Sequence, residues 1–128
     1  MPRPRVLVID DEILVRSMVL DILDEAGFDV IEAANGREGL DLFAGNPTDV
    51  VITDILMPEM EGLETIAALR KLSPDVKIIA ISGGGSAKYM EFLKISESLG
   101  AMRTLAKPLD ADHLVQEVNT LLQTAVSH

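Results

Sequence analysis

The sequence predicts an α/β domain: a five-stranded parallel sheet with helices on both faces. Three observations predict it. Five short strand-like runs alternate strictly with five helical patterns over 128 residues, a length that suits one domain. The first, third and fourth runs are apolar almost throughout, as strands buried on both faces are. The second and fifth runs carry polar residues and belong at the sheet edges. The common doubly wound order 2-1-3-4-5 places the polar runs at the edges and the apolar ones inside.

Residues 6–9, VLVI, form the first strand and end at Asp10-Asp11. A helix follows, with Leu14, Met18 and Ile22 expected on its core face and Val15, Val19 and Ala26 beside them. Arg16, Ser17, Asp21 and Asp24 are expected to face out, and Gly27 to stop the helix. Residues 28–33 alternate only roughly, with charges at Asp29 and Glu32, and read as a half-exposed strand. Asn35 caps the second helix, with Glu38 three residues on in a capping-box-like arrangement. Leu40 and Phe43 supply its core face, and Gly45-Asn46-Pro47 ends it.

Residues 49–53 form the central strand, which delivers the carboxylate of Asp54. After Pro58 a third helix carries Leu63, Ile66, Ala67 and Leu69 and stops near Ser73-Pro74. Residues 76–81 are the fourth strand, running into Ser82-Gly83-Gly84-Gly85. Ser86 caps a fourth helix that places Tyr89, Phe92 and Leu93 inward and ends at Gly100. Residues 102–106 are a short fifth strand closed by Lys107-Pro108. Asp110 caps the last helix, whose stripe is Leu114, Val118, Leu121, Leu122 and Ala125.

Composition excludes several classes. A net charge of −10 repels a nucleic-acid backbone, so direct binding to DNA or RNA is not expected. Cysteine is absent, which removes disulfides and thiol chemistry. No apolar run approaches the ~20 residues of a membrane helix, and residues 6–9 are too short for a signal peptide. A cytoplasmic location is the expectation.

In an open parallel sheet, ligands bind at the carboxyl edge of the strands. Four strand ends bring Asp10-Asp11, Asp54, Ser82 and Lys107 to that edge. Each has a plain structural reading: helix caps, a solvated turn, turn chemistry before glycines, a surface lysine. The plain readings would all have to coincide at one edge of one sheet. Two carboxylates ~4 Å apart repel by roughly 4 kcal/mol at an effective dielectric near 20, and one lysine offsets only part of that. Oxygen ligands without His or Cys point to Mg²⁺, which usually brings a phosphate group with it. The residues therefore read as a carboxylate nucleophile, Asp54, forming an acyl phosphate. Asp10 and Asp11 would hold the metal, and Lys107 and the Ser82 hydroxyl would meet the transferred oxygens.

The segments VLVIDDE, DVVITDILMPEMEG, IIAISGG and LAKPL, in this order, resemble the receiver domain of bacterial two-component response regulators, chemotaxis receivers among them. The resemblance runs from Arg5 to about Ala125, so residues 1–128 are expected to form a single receiver domain of flavodoxin-like fold. It implies that Asp54 accepts phosphate from a phosphohistidine on a sensor histidine kinase or phosphotransfer protein. It implies Mg²⁺ ligation by the Asp11 and Asp54 side chains and the Leu56 carbonyl, with Asp10 mostly through water. Ser82 and Lys107 would meet the phosphoryl group, and the Lys107–Pro108 bond would be cis.

The sequence departs from the family at the position three before the lysine, where many receivers carry an aromatic switch residue. Thr104 stands there, so the glycine loop and the helix bearing Tyr89 are expected to carry the change. Leu56 and Gly84 occupy positions that influence hydrolysis in receivers, and neither can orient a water, which implies a long-lived phosphoryl group.

The expected function is a phosphorylation-controlled signalling switch, not an enzyme acting on other substrates. It would be a stand-alone regulator or a receiver taken from a larger regulator or hybrid kinase. The downstream protein is unknown. A homodimer through the face of the fourth helix, fifth strand and fifth helix is a further expectation. A Mg²⁺ phosphohydrolase of the haloacid-dehalogenase type is the enzyme alternative. It wants an Asp two residues past its nucleophile, where Asp54 has Leu56 and Asp10 has Glu12.

Overall fold

The computed structural model describes residues 3–55, 62–83 and 87–123. Strands and helices alternate as β1 (Arg5–Ile9), α1 (Ile13–Glu25), β2 (Asp29–Ala33), α2 (Gly36–Gly45), β3 (Val50–Asp54), α3 (Gly62–Leu72), β4 (Lys77–Ser82), α4 (Ala87–Leu99), β5 (Arg103–Ala106) and α5 (Ala111–Gln123). The sheet is parallel throughout, in the order β2-β1-β3-β4-β5. β3 is buried at every residue, whereas β2 and β5 each leave residues exposed, as their polar composition requires.

Alternation along each strand feeds two cores. Val6 and Val8 of β1, Val50 and Ile52 of β3, and Ile79 and Ile81 of β4 meet α1 and α5 through Val19, Leu23, Leu114, Val118 and Leu121. Leu7, Ile9, Val51, Ile78 and Ala80 face the other way and meet Phe43 of α2 and Ile66 and Leu69 of α3. Burying both faces explains why the central runs show no polar alternation.

Caps and stops follow the sequence. The Asn35 side chain accepts from the Glu38 N–H at 2.9 Å, and Asp110 accepts from the His113 N–H at 2.9 Å. Gly27 and Gly100, at φ +97° and +128°, end α1 and α4 in the left-handed region open to glycine. The Lys107–Pro108 bond is cis.

Several expectations for α1 are corrected, among them Ala26, expected beside the core face and found exposed. Leu14 is 82% exposed and Met18 40% exposed, and Ile13 is exposed as well. The core side is instead formed by Val19 and Leu23, with Val15 and Ile22 packed against them. Apolar residues cover a wider arc of this helix than the sheet contacts, so spacing alone does not select which stripe is buried. Arg16, expected to face solvent, is half-buried. The expectations for Ser86 and Ala125, and for the side chains of Tyr89, Phe92 and Leu93, lie outside the described residues.

Candidate functional site

Backbone hydrogen bonds that continue past the strands tie the carboxyl end of β1 to β2, of β3 to β4 and of β5 to β4. Asp10 N–H donates to Ala33 O at 3.2 Å, Ile55 N–H to Ile81 O at 2.9 Å, and Lys107 N–H to Ser82 O at 2.9 Å. These bonds hold the residues just beyond the sheet in register, so their side chains share one edge.

Asp10 and Asp54 are buried there despite their charge. Burial of a carboxylate is tolerated only with partners. Both find one in Lys107, whose Nζ lies 3.0 Å from Asp54 Oδ2 and 3.4 Å from Asp10 Oδ2. The same ammonium donates to Glu12 Oε1 at 2.8 Å. Asp10, Glu12 and Asp54 each offer a carboxylate oxygen, all within 4.8 Å of one another.

One ammonium against three carboxylates leaves the cluster negative when all are ionised. Burial pushes the Asp10 carboxyl upward; the Glu12 N–H pulls it down, the Asp54 charge pushes it up again, and Lys107 opposes. The net direction is up. Burial alone would lower Lys107, but hydrogen bonds to Glu12 and Asp54 and the charges of Asp54 and Asp10 outweigh it. Lys107 is held well above its ordinary value and stays cationic.

The donor set is hard oxygen without nitrogen or sulfur ligands, so it fits a divalent cation of the Mg²⁺ or Ca²⁺ kind and not zinc. Asp11 stands apart from this set: it is exposed, and the third converging carboxylate is Glu12. The local turn explains the difference. Asp10 Oδ1 accepts the Glu12 N–H at 2.9 Å, an Asx-type turn that brings residue 12 back to the site and leaves residue 11 in solvent.

Ser82 ends β4 fully buried, with its hydroxyl 3.5 Å from Gly83 O, at the limit of a hydrogen bond. Thr104 is half-buried on β5, paired in register with Ala80. Leu56 and Gly84 lie outside the described residues.

Three contributors escaped the sequence reading. Glu12 joins the carboxylates through the turn just described, for which the Asp-x-Glu spacing was the available signal. Arg16, one helical turn after Glu12, donates to Asp10 O at 2.7 Å and to Glu32 at 2.9 Å, fixing the β1 end from the helix side. Gly62 donates its N–H to Ile55 O at 2.8 Å. A Cβ there would overlap the Asp54 carbonyl oxygen and stand 2.5 Å from Ile55 Cα, so only glycine lets α3 start this close to the end of β3.

Comparison with known proteins agrees with this arrangement. The sequence model of the response regulator receiver domain matches residues 6–119. The chain is 38% identical to the chemotaxis protein CheY of Thermotoga maritima over 117 residues, 90% of this chain and 94% of that protein. It is 26% identical to sporulation initiation phosphotransferase F of Bacillus subtilis, across 95% of this chain and 96% of that one. The crystal structure of Vibrio cholerae chemotaxis protein CheY4 superposes with a TM-score of 0.84 at 31% identity, covering 93% of this chain and 98% of that chain. Among the described residues, no helix is long and apolar enough to cross a membrane.

Proposed function

Because the chain belongs to the response regulator receiver family of two-component signalling, we propose that Asp54 is its phosphoacceptor. The observation that carries this is a buried carboxylate at the end of the central strand, paired with Lys107 just past the end of β5 and flanked by Asp10 and Glu12. A carboxylate oxygen of Asp54 attacks the phosphorus of a phosphohistidine on a sensor histidine kinase or phosphotransfer protein. A phosphorus–oxygen bond forms, the phosphorus–nitrogen bond breaks, and the imidazole nitrogen keeps the electron pair. Lys107 Nζ stands 3.0 Å from Asp54 Oδ2 and meets the charge that the phosphoryl oxygens bring. The Ser82 hydroxyl, from the next strand end, is the neutral donor to the same group.

Asp10 and Asp54 are the described side chains that would hold Mg²⁺, with Glu12 at the rim of the same cluster and with Asp11 and the Leu56 carbonyl added by the family resemblance. When bound, Mg²⁺ neutralises charge on the transferred group.

The product is a signalling state, not a released compound: the phosphorylated edge changes which partner the domain binds. Thr104 replaces the usual ring, so the change is assigned to the loop after Ser82 and to α4. The donor protein meets the exposed Ile13, Leu14 and Met18 of α1, which begins just after Glu12. A downstream protein, or a second copy, meets the α4–β5–α5 face.

The test is intact mass after incubation with acetyl phosphate and Mg²⁺, beside Asp54→Ala and an EDTA control. One phosphate adduct on the wild type only, lost in EDTA, is expected. An adduct that persists in Asp54→Ala would refute the assignment.

A further inference from the structure

Among the described residues Lys107 has three carboxylate partners, and they are unequal. Asp10 and Asp54 side chains are 3% and 5% exposed, whereas the Glu12 side chain is 59% exposed and makes the shortest contact, 2.8 Å. A divalent cation that draws on Asp10 and Asp54 competes with the ammonium for the same two carboxylates. The backbone of Lys107 is fixed by its bond to Ser82 O, but its four-carbon stem can pivot. Of its three partners, only Glu12 lies at the rim.

A second feature sets Glu12 apart. It is the N-cap of α1, yet its side chain makes no capping hydrogen bond. Asp, Asn, Ser or Thr are the residues favoured at such a position. The helix forgoes the cap, and the side chain reaches Lys107 instead.

We propose that Glu12 is a positioning residue for Lys107. It holds the ammonium at the rim when Asp10 and Asp54 take a divalent cation, and so keeps the lysine beside the reacting edge instead of letting it block the cation or leave. This rests on the reading of Asp10 and Asp54 as cation ligands. In the cation-bound state the ammonium keeps one strong partner in place of three, and that pair strengthens.

The test is Mg²⁺ affinity by isothermal titration calorimetry for wild type, Glu12→Gln, Lys107→Met and the double variant, each shown folded by circular dichroism. A partly exposed ion pair gives Glu12→Gln a loss of about fivefold when Lys107 is present. In the Lys107→Met background the same change should stay within about twofold. Equal losses in both backgrounds would make Glu12 a direct ligand or a plain charge and overturn the proposal. No loss in either background would also overturn it, as would a wild type that binds no Mg²⁺. The mass assay on wild type separates this from the phosphoacceptor assignment. Mg²⁺ binding with Lys107-dependent coupling but no adduct on Asp54 sinks that assignment and leaves Glu12's role intact.

Discussion

Gly62→Ala should damage the protein far more than its size suggests. The added Cβ would overlap the Asp54 carbonyl oxygen and lie 2.5 Å from Ile55 Cα and 2.7 Å from Ile55 O. All three are backbone atoms at the end of the buried central strand, so no side chain can swing aside. Overpacking of this kind costs ~1–3 kcal/mol, and a backbone neighbour puts it near the top of that range. Alanine returns at most ~1 kcal/mol through its helix propensity, and less at a first helical residue. A net loss of about 2 kcal/mol should lower Tm by ~6–8 °C for a domain of this size. The control is Gly45→Ala at the last residue of α2, where a Cβ meets nothing within 4 Å. That change should be neutral or stabilise by up to ~1 kcal/mol. Urea and thermal melts followed by circular dichroism read both. Folded Gly62→Ala protein should also accept phosphate from acetyl phosphate more slowly, because the clash falls on the carbonyl of Asp54 itself. A Gly62→Ala variant within ~0.5 kcal/mol of wild type would refute the claim that α3 needs glycine to approach β3.

Three further outcomes are expected. Asp10→Asn should stabilise the metal-free protein at pH 7. The folded pKa of Asp10 is raised, so the folded state binds the proton more tightly, and wild-type stability falls as pH rises through that pKa. The advantage of the variant should vanish below about pH 4, where Asp10 is protonated folded or unfolded; urea melts at pH 7 and pH 3.5 in EDTA check this, and a less stable variant at pH 7 contradicts it. Leu14→Ser, at an exposed position, should leave stability within ~0.5 kcal/mol. It should slow phosphotransfer from a kinase while sparing acetyl phosphate, and equal slowing of both removes α1 as the donor surface. Leu56→Asn should shorten the lifetime of the aspartyl phosphate, measured by loss of the mass adduct over time; an unchanged lifetime contradicts the reading of Leu56 as a slow-hydrolysis residue.

The alternation of apolar runs and helical stripes determined the α/β class, the parallel sheet and its polar edge strands. A strand buried on both faces must be apolar throughout, so the pattern is local and visible in residues such as Val50, Val51 and Ile52. The strand ends were legible for the same reason. Asp54, Ser82 and Lys107 each stand where an apolar run stops, and the fold then brings Lys107 within 3.0 Å of Asp54 across a separation of 53 residues. What tertiary structure alone decided is which surfaces meet. Leu14 and Leu23 are chemically alike on one helix, yet only the one facing the sheet is buried. Glu12 and Asp11 are adjacent acids, yet a side-chain bond within the turn sends one to the lysine and leaves the other in water. Periodicity records how apolar an element is and how its residues are spaced. The angle at which it docks, and the turn that precedes it, depend on atoms distant in the chain.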